Sequence, residues 1–177
     1  LIFCNEVTID GSTFYGSAGE GLYTYYCQNV SIRNCTSYDN NVGFFVLGAF
    51  SVLVENCTAH DNNEDGISVG VNGVHDSMIV RNNHAHGNGG SGLSLSQSSM
   101  NATCKVVGNV IEENDDGLMY SSSKGGYSQD SPGTDIIQDN VIRNNPRSGL
   151  SLSLKHSHYL TRIEGNHIAG NGAGPCA

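Results

Sequence analysis

Basic residues are scarce in this chain: 8 Lys and Arg stand against 17 Asp and Glu, for a formal net charge of −9. A phosphate-backbone partner calls for a basic face, so the balance argues against nucleic-acid binding. Long apolar runs are missing as well. The stretch from Phe44 to Leu47 is short and is broken by Gly48, so no membrane span of the usual ~18 residues or more is expected. Nowhere does a 3.6-residue apolar stripe extend far enough for helical repeats. None of the six cysteines forms a C-x-x-C pair, which argues against a structural zinc site.

What is present is a repeat. An aliphatic residue is followed at +3 by Asn or Cys and at +8 by Asn or Asp, and then by Gly and a further apolar residue. The aliphatic column reads Ile2, Ile32, Val54, Val80, Val106, Ile137 and Ile163. The second reads Asn5, Cys35, Cys57, Asn83, Asn109, Asn140 and Asn166, and the third Asp10, Asn40, Asn62, Asn88, Asn114, Asn145 and Asn171. Members of the second column lie 30, 22, 26, 26, 31 and 26 residues apart. Blocks of constant length joined by connections of variable length define a solenoid. Apolar residues alternate over short stretches between polar and Gly corners, as in Val80, Asn83, Ala85 and Asn88, so each side of a coil is a strand of a few residues. Coils of 22 to 26 residues then close on three sides and stack at about 4.8 Å. Asn in the same corner of every coil can bond to its neighbours above and below, which makes burial of the amide tolerable. Gly43, Gly66, Gly92, Gly117 and Gly149 fit bends that require positive φ.

The blocks "VENCTAHDNNEDGISV" and "IVRNNHAHGNGGSGLSL" resemble the right-handed parallel β-helix repeat of the pectin-lyase-like superfamily, and the resemblance runs from Ile2 to about Gly174. It implies an all-β solenoid of about seven coils. Similar repeats occur in mannuronan C5-epimerases, polysaccharide lyases and periplasmic copper-insertion accessory proteins, so the resemblance speaks to fold more than to function. The epimerases' D-P-H signature is missing, as are the clustered Lys and Arg of pectate lyases. The uninterrupted repeat makes residues 1–177 a single elongated domain. Without a recognisable cap at either end, the expectation is a fragment of a longer chain, or ends covered by end-to-end contact with another β-helix segment.

Cysteine usage and sequons point to a secreted or cell-surface protein. Cys35 and Cys57 share a ladder position in adjacent coils, about one strand spacing apart, which predicts a disulfide between them; the alternative is two small buried thiols. Cys4 and Cys27 are candidates for a second bridge. Sequons start at Asn29, Asn34, Asn56 and Asn101. Asn29 and Asn101, in the connections, are the better glycan acceptors.

Chemistry must come from outward side chains. Val7, Ala59, Ala85, Ile111, Ile142 and Ile168 mark the inward position two after the ladder residue, so the next position faces solvent and reads Thr8, Tyr38, His60, His86, Glu112, Arg143 and Ala169. Beside it lie Thr58, His84, Asp39, Asp61 and Glu113. Lyases and epimerases acting on polyuronates remove the proton at C5. They need a base, an acid and a partner for the carboxylate. His60 or His86 suits the base, Tyr38 the acid and Arg143 the carboxylate, with Glu112 in the same column and His84, Asp61 and Tyr127 as substrate contacts. Tyr38 and Arg143 stand four rungs apart, roughly 19 Å, so both can flank a chain of several sugars but not one sugar.

The strings "HDNNEDG" and "EENDDG" gather carboxylates at corners, where Ca²⁺ is the cofactor that would relieve their repulsion; no resident metal is otherwise expected. Outward Ser68, Ser94 and Ser151, with Tyr23, Phe45 and Met119, form a shelf suited to a glycan. The insertion from Ser121 to Asp135 is Gly- and Ser-rich and reads as a loop overhanging a groove. Two functions fit: an extracellular carbohydrate-directed β-helix, for which polyuronate epimerase and lyase are the candidate activities if it is an enzyme, or a non-catalytic structural or adhesive β-helix segment.

Overall fold

The computed structural model describes residues 1–72, 77–98, 103–123, 134–155 and 160–172. Twenty short strands form three parallel sheets. Sheet I stacks β1 (Glu6–Asp10), β4 (Asn29–Arg33), β7 (Ser51–Glu55), β10 (Ser77–Arg81), β13 (Thr103–Val107), β16 (Thr134–Gln138) and β19 (Leu160–Glu164). Sheet II stacks β2 (Thr13–Tyr15), β5 (Thr36–Tyr38), β8 (Thr58–His60), β11 (His84–His86), β14 (Val110–Glu112), β17 (Val141–Arg143) and β20 (His167–Ala169). Sheet III stacks β3 (Glu20–Tyr25), β6 (Val42–Ala49), β9 (Ile67–Val71), β12 (Ser91–Gln97), β15 (Asp116–Ser122) and β18 (Ser148–Leu154). The chain is thus a right-handed parallel β-solenoid, with six complete three-sided turns and two sides of a seventh among the described residues.

Its interior is a set of in-register columns. Ile32, Val54, Val80, Val106 and Ile137 stack from sheet I, and Phe44, Ile67, Leu93 and Leu118 from sheet III, all of them buried.

Two asparagine ladders run through the corners on either side of sheet II. Asn83 Nδ2 donates to Asn109 Oδ1 at 3.0 Å, Asn109 Nδ2 to Asn140 Oδ1 at 2.9 Å and Asn140 Nδ2 to Asn166 Oδ1 at 2.8 Å. The second ladder runs from Asn40 through Asn62, Asn88, Asn114 and Asn145 to Asn171 in the same way. Each Oδ1 also accepts the backbone N–H of the preceding rung, as Asn109 does from Asn83 at 3.0 Å. A buried amide is therefore satisfied by its own copies.

Three expectations change. In the first coil Ile9, not Ile2, pairs with Ile32, and the ladder positions are Ser12 and Ser17, whose backbone N–H groups donate to Cys35 Sγ at 3.5 Å and Asn40 Oδ1 at 3.0 Å. Serine replaces the amide there, so a search for Asn or Cys slips by seven residues. Thr8 accordingly lies on sheet I, and Tyr15 heads the outward column of sheet II.

The glycines at the start of sheet III do not take positive φ. From the second coil on, positive φ falls on the residue just before each ladder position: Asn34, Asn56, Asn82, Gly108, Asp139 and Gly165 on one side of sheet II, and Asp39, Asp61, Gly87, Glu113, Asn144 and Gly170 on the other, with φ between +52° and +66°. Asn and Asp tolerate that region better than other non-Gly residues. Gly92 is required for space instead: a Cβ there would lie 2.6 Å from Asn114 Nδ2 and 2.5 Å from Ile111 Cγ2.

Cys35 and Cys57 are separate thiols, as are Cys4 and Cys27, and the predicted bridge is not formed. Cα–Cβ bonds on parallel in-register strands point the same way. Their Cβ atoms therefore stay about a strand spacing apart, where a disulfide wants ~3.5–4.5 Å. Each thiol instead donates to a carbonyl of its own coil, Cys35 to Arg33 O at 2.9 Å and Cys57 to Glu55 O at 3.3 Å. Burial pushes the Cys57 thiol up to about 11.

Candidate functional site

Sheet II is the narrowest side of the coil: three residues per strand between two tight corners, with the middle side chain inward. Every strand therefore offers two outward side chains, and exact register turns them into two columns. One reads Tyr15, Tyr38, His60, His86, Glu112, Arg143 and Ala169; the other reads Thr13, Thr36, Thr58, His84, Val110, Val141 and His167. The five residues expected to carry chemistry fall in one column, and His84 stands beside it.

The rings of the first column lie flat on one another. Centroid separations are 5.3 Å for Tyr15–Tyr38, 5.0 Å for Tyr38–His60 and 5.0 Å for His60–His86, with interplanar angles of 7°, 7° and 2°. Ring faces are thereby used up within the stack. What reaches solvent is a row of ring edges carrying phenol oxygens and imidazole nitrogens, alongside the hydroxyls of Thr13, Thr36 and Thr58. Such a surface offers hydrogen bonds at regular intervals to an extended ligand.

Past His86 the face becomes charged. Glu112 accepts from Arg143 Nε at 2.6 Å and from His84 Nε2 at 2.9 Å. Arg143 holds the Glu112 carboxyl below its usual range against the opposing effect of burial, and His84 adds to the lowering. His60 Nδ1 lies 2.7 Å from Asp61 Oδ2, on the left-handed corner that follows it. His86 has no carboxylate in hydrogen-bonding contact. Burial, seconded by the neighbouring His84 and His60, lowers its pKa below the ordinary histidine value, so the ring is neutral near pH 7.

Tyr15, Thr13 and Thr36 join this face without having been expected from the sequence. The tripeptides "TFY", "TSY" and "TAH" were the available signal, hidden by the slipped first coil. Also unexpected is a buried polar group in which Tyr120 Oη lies 2.7 Å from Asp135 Oδ2 and 3.0 Å from Gln97 Oε1, while Cys104 N donates to Asp135 Oδ1 at 3.0 Å. Burial above all raises the Tyr120 pKa. This group is sealed in the core and braces three coils. Tyr127 and Asn101 lie outside the described residues. Asn29 is exposed at the start of β4.

Among the described residues no three His, Cys, Asp or Glu side chains converge as metal ligands. Two of the corner carboxylates bond within the coil stack: Asp65 Oδ1 accepts the Ser91 N–H at 2.8 Å, and Asp116 accepts the Ser148 hydroxyl at 2.6 Å and pairs with Arg147 at 3.4 Å. No helix is long and apolar enough to cross a membrane among those residues.

In structure, the chain is similar to the A-module of the mannuronan C-5 epimerase of Azotobacter vinelandii, at 17% identity and a TM-score of 0.49, over 93% of this chain and 60% of that one. No curated protein matches its sequence. The sequence profile of the right handed beta helix region matches residues 1–132. That is about three quarters of the 177 residues, and the chain belongs to the right-handed beta helix region family.

Proposed function

We propose that this is an extracellular, carbohydrate-directed β-helix that presents the outer face of sheet II to an extended acidic glycan. The carrying observation is the in-register pair of columns, in which hydroxyls, phenol and imidazole edges recur over the four rungs from Tyr15 to His86 and are followed by Glu112 and the partly exposed Arg143. Arg143 uses Nε on Glu112, and its Nη groups suit a uronate carboxylate. On a secretory route, Asn29 would carry a glycan at the rim of sheet I.

For catalysis, Tyr38 and His60 are the adjacent acid and base pair, and His86 supplies a second imidazole one rung further on. All three reach the ligand from one side. C5 epimerisation needs proton removal and return on opposite faces of the sugar. Syn elimination, in which the C5 proton and the C4 leaving group lie on one face of the sugar, is the chemistry this flat arrangement supports better. A structural role is favoured by one observation, the saturation of Glu112 by His84 and Arg143.

Incubation with alginate, pectate and related polyuronates, following unsaturated-product absorbance and C5 configuration by NMR, tests the proposal. Absorbance that disappears in the His60→Ala, His86→Ala double variant supports the lyase form. Inversion without absorbance would shift the reaction to epimerisation. Neither turnover nor binding of any polyuronate would leave the structural reading.

A further inference from the structure

Sheet III turns a second, chemically different face outward. One column reads Tyr23, Phe45, Ser68, Ser94, Met119 and Ser151 in unbroken register. Its neighbour runs from Tyr25 and Leu47 to Ser153. None of the twelve positions in the two columns is Asp, Glu, Lys, Arg or His. In a chain of net charge −9, these two columns are neutral, and the charges of sheet III stand at its margin, with Glu20 opening β3 and Asp116, paired with Arg147, opening β15. Sheet I carries the Arg33–Glu55–Arg81 ion pairs, and sheet II carries Arg143–Glu112.

The neutral face is also graded. At the β3 and β6 end, Tyr23 packs on Phe45 at 5.6 Å and on Tyr25 at 6.1 Å, and Tyr25 meets Tyr26 at 4.4 Å. Tyr26 lies over Gly48, where a Cβ would come within 3.0 Å of the ring, so the backbone itself makes room for the cluster. At the other end a shallow depression of about 250 Å³ is lined by Met119 and the serines at 94, 96, 121, 151 and 153. Such a volume falls below the ~300–1,000 Å³ of pockets that enclose a whole small molecule. From β3 to β18 the shelf extends roughly 24 Å, five strand spacings.

We infer that the outer face of sheet III is a binding surface for an uncharged polysaccharide strand, lying along the solenoid axis over the ring edges and phenol oxygens of the Tyr23–Phe45 end and the hydroxyls of the serine end. Apolar ring edges joined to a field of hydroxyls suit the C–H groups and the hydroxyls of a pyranose. Two neutral columns on an acidic protein favour a neutral polymer over a polyanion. The surface is separate from that of sheet II and does not depend on the activity proposed there.

Affinity electrophoresis of the full chain through gels containing xylan, galactomannan, mixed-linkage glucan or alginate tests the inference. At least one neutral polymer should retard the protein, equally at low and high salt, and excess alginate should not release it. Tyr23→Ala with Phe45→Ala should weaken retention about tenfold or more. Ser96→Asp, a change at an exposed position that leaves the core intact, should also weaken it. Retention by no neutral polymer, release by salt or alginate, or insensitivity to both variants would overturn the assignment. So would self-association of the free protein in sedimentation that Ser96→Asp abolishes, because the occupant would then be a second copy.

Discussion

Removing one rung from the middle of a ladder isolates the physical principle on which the solenoid depends. In Asn88→Ala, the Asn62 backbone N–H loses its acceptor Asn88 Oδ1 at 3.1 Å. Asn62 Nδ2 loses a 2.8 Å bond to the same oxygen, keeping only Ser37 O at 3.2 Å. Ala59 O and Asn114 Oδ1 each lose a donor. One fully orphaned buried N–H costs about 1–3 kcal/mol, and the three further bonds add roughly 1 kcal/mol each, so a loss on the order of 4–6 kcal/mol is expected. That is a large part of the ~5–15 kcal/mol that holds a typical domain. Asn171→Ala removes the corresponding partners of Asn145, at 3.0 and 2.8 Å, but at a partly exposed rung where water replaces them, for about 1 kcal/mol. Urea unfolding followed by far-UV circular dichroism measures both, with the slope checked to confirm that each variant unfolds as one unit. Equal losses at the two rungs, or a loss below about 1 kcal/mol at Asn88, would refute the account of buried amides satisfied by stacking.

Gly92→Ala should destabilise by about 1–3 kcal/mol or more, because the new Cβ drives into Asn114 and Ile111; a wild-type urea midpoint would contradict the spatial role of this glycine. His86 has a folded pKa below its unfolded value near 6.5. As pH falls through that value the unfolded chain therefore takes the proton first, and stability declines until the folded pKa is passed. NMR titration should show the His86 midpoint rising in His84→Ala, which removes a like charge; no movement would discount that coupling. Glu112 behaves oppositely, its stabilisation being present above its unfolded value and lost as pH falls through the lowered folded one. Arg143→Ala should raise the Glu112 midpoint and narrow that acid-side loss. Cys57, pushed up to about 11, should resist alkylation in the native protein at mildly alkaline pH and react only on unfolding; mass spectrometry after an iodoacetamide pulse reads this directly.

Much of the architecture is legible in residue order because alternation and corner chemistry are local. The spacing from Val80 to Asn83, Ala85 and Asn88 states which side chains turn inward, and repetition states which coils stack. The column from Tyr38 to Arg143 follows from those two facts alone. Tertiary packing decided what depends on contacts between coils 22 to 31 residues apart in sequence. Ser12 and Ser17 take ladder positions because their neighbours Cys35 and Asn40 fix the register, although serine itself carries no ladder signal. Gly92 is a glycine because Asn114 and Ile111 of the next coil fill the space beside it. Cys35 and Cys57 remain thiols because parallel strands hold their side chains side by side without turning them together. The engagement of Arg143 with Glu112, and the gathering of uncharged residues into two outward columns of sheet III, belong to the same class: a sequence names the side chains, but only stacking determines which of them meet.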